Sequence, residues 1–241
     1  MSRSLLVFVV LLTSCGGAGL WRVTTQGESY LEQGVSTDDF TDDCTVLFET
    51  FEVQITEAVL LDADGEVAVE APGGVFDLTA EGPQELATVD ALADAYGTAR
   101  IRIAPAAGPS VRTTGSLGCG DEAIGFDLMF QTDTTYVCDL DDFEVSKGLF
   151  TETRIDIHGQ RLFLDSLGDD GELRAGVLHS AGVLGEGNST LTPDDLAEYK
   201  VADFDYDVGS HTEVETVEEF LVEQSRTLVG IDGEGRCRVQ P

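Results

Sequence analysis

The sequence predicts an α+β protein: an antiparallel sandwich- or barrel-like β half over residues 44–158, then a mostly helical half over 159–241. Two observations carry this. Between Cys44 and His158, short runs alternate apolar and polar residues with a period of two, separated by Gly, Pro and Asp turn signals. Beyond Gly159 the spacing changes. Leu162, Phe163 and Leu167, then Leu173, Val177 and Leu178, recur at helical intervals, and two helix-start signatures follow.

The chain begins with a leader over residues 1–14. Arg3 supplies a basic flank, and Leu5 to Leu12 is uninterrupted apolar sequence, well short of the roughly 20 residues a spanning helix needs. Leu12-Thr13-Ser14-Cys15 then resembles the bacterial lipobox, whose Cys is lipidated and becomes the first residue of the mature chain. Cys15 is therefore the expected lipidation site, and the membrane, through that anchor, the first expected partner. The alternative is a signal cut at a small-residue site, with Cys15 an ordinary thiol. Gly16 stands where some bacteria place an Asp that retains lipoproteins at the inner membrane, which favours the outer membrane of the cell envelope.

Without the leader, 241 − 14 = 227 residues remain, enough for a substantial core, and 42% of the whole chain is apolar. The formal charge of 13 − 46 = −33 repels nucleic acid and anionic headgroups, which excludes both as partners. Such a surface attracts divalent cations, and it also simply keeps a protein soluble. Cys44, Cys119, Cys138 and Cys237 form an even set without Cys-x-x-Cys spacing. Two disulfides in an oxidising compartment are expected, with three connectivities open.

Taken in order, residues 15–43 carry the lipidated Cys and a tether that is Gly-rich from Gly16 to about Thr25. Trp21 falls inside it, at the lipid interface or packed at a domain edge. Gly27 to Gly34 has room for one helical turn. Phe51, Val53 and Ile55 then alternate with Glu52, Gln54 and Thr56 in a strand from Thr45 to Leu61. Asp62-Ala63-Asp64-Gly65 is a turn leading into Glu66–Glu70; its two Asp side chains fit turn chemistry better than Ca²⁺ chelation. Val75–Leu78 and Thr98–Ala104 are further strands, as are Val111–Leu117, Ala123–Gln131, Thr134–Leu140 and Thr151–His158, while Gln84–Tyr96 permits a helical turn. Thr192-Pro193-Asp194-Asp195 has an N-cap, Pro at the first helical position and carboxylates in the first turn. Thr216 with Glu219 makes a capping box ahead of Phe220, Leu221, Leu228 and Val229.

Six stretches in this order, among them Val75-Phe76-Asp77-Leu78-Thr79, Arg100-Ile101-Arg102-Ile103-Ala104-Pro105 and Ile157-His158-Gly159, resemble a family of uncharacterised bacterial envelope lipoproteins. The others lie at Gly27–Gly34, Phe126–Cys138 and Gly233–Cys237. The resemblance implies a His and carboxylate cluster near His158 that suits a transition metal. This chain has Gln160, Arg161 and Arg236 where relatives carry potential ligands, so the resemblance leaves His158 as a structural hydrogen-bonding group. It also implies an EF-hand-like loop over Leu184–Asp195. Glu186, Asn188, the Thr190 carbonyl, Thr192 and Asp195 would be the Ca²⁺ ligands, but Leu184 replaces the first carboxylate and Asp195 is shorter than the usual Glu. Any Ca²⁺ site would be weak, and no other cofactor is expected. Relatives carry Cys at the positions of Cys138 and Cys237, which implies that pair and hence Cys44 with Cys119; Cys119 with Cys138 is the other candidate.

For catalysis, Gly-x-Ser-x-Gly, Ser-x-x-Lys, His-Glu-x-x-His and a P-loop are all missing, and His158, His179 and His211 are the three histidines. The sequence therefore reads as a lipid-anchored envelope protein, a non-catalytic binding or structural module for an unknown protein or small-molecule ligand. The alternatives are a Ca²⁺-binding protein and, more weakly, a hydrolase with an unfamiliar site.

Overall fold

Strands dominate from one end of the described chain to the other in the computed structural model, which describes residues 17–168, 171–184, 190–232 and 237–240. The first is β1 (Ala18–Gly27), followed by the single-turn helix α1 (Ser29–Gln33). The long strand β2 (Cys44–Leu61) bends at register shifts after Phe48 and Ile55, as bulged strands do. At its end Asp62 Oδ1 accepts the Asp64 and Glu66 N–H groups, each at 2.9 Å, and Gly65 takes φ +81°. That turn leads to β3 (Val67–Ala71) and then β4 (Gly74–Asp77).

Next come β5 (Gln84–Leu92), β6 (Asp94–Ala95), β7 (Thr98–Ile103), β8 (Val111–Cys119) and β9 (Glu122–Phe130). They are followed by β10 (Thr134–Asp139), β11 (Glu144–Val145) and β12 (Phe150–Ile157). The remainder holds α2 (Gly176–Leu184), β13 (Thr190–Leu191), α3 (Pro193–Leu196), α4 (Val217–Gln224), β14 (Val229–Ile231) and β15 (Cys237–Gln240).

Strand β2 organises the larger sheet, whose order is β13-β9-β8-β2-β7-β10-β15. Its first half pairs with β8 and its second with β7, while β4 and β3 add along β2 as well. The smaller sheet runs β14-β12-β1-β5, and within it β1 and β12 are parallel. Trp21 and Val23 of β1 and Ile155 of β12 face Ala58 and Ile101 of the larger sheet across a closed apolar seam. The Trp21 indole N–H donates to Thr153 Oγ1 at 3.1 Å, so the one polar atom of that ring is satisfied inside the seam.

Both disulfides join residues directly opposite on neighbouring strands. Cys44–Cys119 links β2 to β8, and Cys138–Cys237 links β10 to β15. This is one of the three connectivities left open by composition. The second bridge ties the last described strand to the larger sheet.

Two expectations are corrected. Residues 159–241 are not mostly helical. Among the described residues there, α2, α3 and α4 hold nine, four and eight residues, and β13, β14 and β15 join β9, β12 and β10. The helical spacing of Leu162 and Phe163 belongs to one 3-10 turn, Gly159–Phe163. Phe163 packs edge-to-face with Phe40 at 5.9 Å, beside Phe48, so this stretch closes the β core rather than standing apart from it. Nor is 16–25 a tether throughout. From Ala18 onward it is an inner strand, hydrogen-bonded to β12 on one side and β5 on the other, and Trp21 is 1% exposed. The fold is mostly β.

Candidate functional site

Parallel pairing puts the ends of β1 and β12 side by side, with Gly27 opposite Ile157. The residues that follow, Glu28 and His158, therefore emerge as neighbours although they are far apart in sequence. His158 Nδ1 donates to Glu28 Oε1 at 2.8 Å, and Gln160 Nε2 donates to Glu28 Oε2 at 2.7 Å. The backbone fixes both partners. His158 N–H donates to the Leu228 carbonyl at 2.9 Å, and the Glu28 carbonyl receives the Leu31 N–H at 2.8 Å as α1 begins. With both carboxylate oxygens engaged and the side chain two-thirds buried, the Glu28 carboxyl is held below its ordinary range. The largest cause is the hydrogen bond from His158; burial opposes it, and charge on His158, the Gln160 amide and Arg161 add to it.

Gly159 makes this corner possible. A Cβ there would collide with Leu31 and stand 3.0 Å from Phe51 Cε2, and both of those side chains are fully buried. Gly159→Ala should cost about 1–3 kcal/mol through overpacking, read as a lower urea midpoint with an unchanged slope.

A carboxylate that receives the Nδ1 proton selects the imidazole tautomer with a lone pair on Nε2. The corner thus holds an imidazole whose Nε2 is an oriented acceptor. No Ser, Thr or Cys hydroxyl or thiol bonds to His158 among the described residues, and no group of three or more potential metal ligands converges there. Gln160 is a donor to Glu28, and Arg161 donates to the Thr227 carbonyl at 3.2 Å. His158 is thus engaged in a hydrogen bond, with a partner that the sequence did not name.

Linkage gives a test. Because folding lowers the Glu28 carboxyl, its stabilisation is present above the unfolded value of about 4.5 and disappears as pH falls through the folded one. Glu28→Gln should therefore lose about 1 kcal/mol at pH 7, with the gap to the parent closing on acidification, measured by thermal unfolding at both ends.

The other residues singled out from sequence fall elsewhere. Cys15, Glu186, Asn188 and Arg236 lie outside the described residues. Thr190 is in β13, paired with Gly125 of β9. Thr192 caps α3, and Asp195 Oδ2 turns back to accept the Thr192 N–H at 2.8 Å and its hydroxyl at 2.7 Å. That oxygen serves the capping box. His179 is buried on α2, and His211 is partly exposed beside Glu213. The start of α2 is capped from a distance. Asp42 Oδ2 accepts the Ala175 and Gly176 N–H groups at 2.8 and 2.6 Å, a role invisible 133 residues away in sequence.

A concavity lies at the ends of the paired strands β6 and β11. It is a cleft of about 430 Å³ floored by Tyr96, Leu140 and Phe143, with Asp142 and Glu144 at its rim. The Tyr96 hydroxyl donates to the Leu92 carbonyl at 3.0 Å.

No family model matches this chain, and no curated protein does. Among solved structures it is similar to MbnP from Methylosinus trichosporium, with 11% sequence identity, 61% of this chain and 77% of that chain covered, and a TM-score of 0.34. A likeness this slight carries no property from that protein to this one. Two disulfides in a β-rich chain do indicate a place outside the cytosol, extracellular or periplasmic. No helix among the described residues is long and apolar enough to cross a membrane.

Proposed function

We infer that this is a lipid-anchored protein of the cell envelope, held by an acylated Cys15, that serves as a non-catalytic binding or structural module. The observation that carries the reading is the pair of disulfides on a chain whose leader ends in Leu12-Thr13-Ser14-Cys15. A fold that depends on sulfur bridges is made outside the cytosol, and a lipobox Cys would keep it at the surface it was exported across.

Binding rather than chemistry is favoured by two features. The cleft at Tyr96 and Phe143 has a volume in the range that small ligands fill, with an aromatic floor and a carboxylate rim. The Glu28–His158 pair has an oriented imidazole with no nucleophile bonded to it among the described residues. The strong negative charge keeps nucleic acid from being the ligand.

Mass spectrometry of the native protein tests the anchor and the bridges together. The expected result is an acylated Cys15 at the mature N-terminus and no free thiol at the other four positions. An unmodified N-terminus, or four reduced thiols, overturns the reading.

A further inference from the structure

Three of the large apolar side chains most open to solvent belong to residues that flank the start of β1. Leu92 ends β5 and is 64% exposed; Phe150 opens β12 at 68%; Leu149, in the turn just before it, is at 60%. Register brings them together. Ala18 lies opposite Leu92, and Leu20 opposite Phe150, so all four side chains share the outer face of the smaller sheet. The Leu20 N–H donates to the Leu149 carbonyl at 2.9 Å, which holds the turn against β1. Trp21 and Val23 point the other way, into the core. One step further along β1 the face turns polar, with Arg22 2.9 Å from Glu85 and 3.8 Å from Glu152. The patch therefore ends at a charged row, as a surface placed at a boundary between two media would.

Gly17 sits at the edge of this patch and is fixed there. Its carbonyl accepts the Ala93 N–H at 2.9 Å, and the aliphatic stem of Lys147 packs over its backbone. Lys147 is one of only two lysines in the chain, and among the described residues it pairs with no carboxylate. Its stem lies on the side to which Gly17 and Gly19 face, the side of buried Trp21, and not on the face of Leu92 and Phe150. Asp90, opposite Leu20 on β5, is a charge on the patch's own face and bounds it on that side.

We propose that Leu92 and Phe150, with Leu20, form the face that seats this protein on a zwitterionic phospholipid surface, beside its own acyl anchor. The proposal rests on Cys15 being acylated. Gly17 follows Cys15 with Gly16 alone between them, a span of about 7 Å when extended, so an anchored Cys15 brings the start of β1 to the headgroups. Apolar side chains then enter the headgroup–acyl boundary. Anionic lipid is disfavoured by the overall charge, which leaves a zwitterionic surface as the fit.

The test uses the full acylated chain in phosphatidylcholine vesicles with and without brominated acyl chains, comparing F150W with L47W and the parent. Leu47 is exposed and lies past the opposite end of β1, against Gly34 beyond α1. The added emission in F150W should fall about twofold with bromine, since a ring at the boundary lies within reach of the quencher, while L47W and the buried Trp21 stay unchanged. In the unsubstituted protein, amide exchange over Ser146–Thr151 should slow on vesicles.

Equal quenching in the two variants, or none in F150W with Cys15 shown by mass to be acylated, overturns the seating face and leaves the anchor standing. Protection of the patch that appears only with protein concentration, together with a dimer in sedimentation, assigns it to a second copy and also overturns the proposal. A Cys15 of unmodified mass overturns the anchor, and the seating face falls with it.

Discussion

Replacing Cys44 and Cys119 together by alanine is expected to cost about 4 kcal/mol, the entropy that a 75-residue closure removes from the unfolded chain. The Cys138–Cys237 closure is longer, at 99 residues, yet its removal should cost less than its length implies. Strand β15 is a four-residue edge strand that pairs with β10 alone, so without its bridge it can detach and recover freedom in the folded state. Cys44, by contrast, lies at the end of a nine-pair ladder that cannot release without opening the sheet. The two closures do not overlap in sequence, so their unfolded-state contributions should add in the quadruple variant. Urea midpoints of the two double variants check this, and a larger loss at Cys138–Cys237 than at Cys44–Cys119 would reverse the order argued here.

Trp21→Ala should cost about 3–5 kcal/mol, because the largest side chain in the seam leaves a cavity between two sheets that cannot both collapse onto it. It also leaves the buried Thr153 hydroxyl without its indole partner. Trp21→Phe refills most of the volume and should lose less than half as much. Circular dichroism melts of the two variants give the comparison. The tether reading of this segment expects a change within about 0.5 kcal/mol, the scale of an exposed substitution, and so the two readings separate cleanly.

What sequence reveals here is local. The alternation around Val53 and Ile55, the Asp62–Gly65 turn and the Thr216–Glu219 capping box each depend on residues within a few positions, and each stands in the structure where the pattern puts it. What it conceals is long-range. Trp21-Arg22-Val23-Thr24 alternates as well as any strand, but its proximity to the leader and to Gly16, Gly17 and Gly19 favours a tether. Pairing with β12 and β5 and packing against the larger sheet, all distant in sequence, bury it. In the sequence, Leu228 and Val229 follow Phe220 and Leu221 behind the Thr216–Glu219 capping box. α4 in fact stops at Gln224, whose amide donates to the Leu164 and Ser166 carbonyls, and the next apolar residues complete the edge of β12. The Glu28–His158 corner is illegible for the same reason. A histidine in need of a partner can be read from sequence, but its partner is set by the parallel register of two distant strands.

That register also orders events during synthesis. The strand that emerges first needs Phe150–Ile157 on one flank and Gln84–Leu92 on the other, and the first of these flanks is completed in turn by Val229–Ile231. Until nearly the whole polypeptide has been made, a Trp and a Val meant for the interior remain uncovered. Folding is consequently a late closure dominated by distant contacts, with that apolar surface open to aggregation until the last flank arrives.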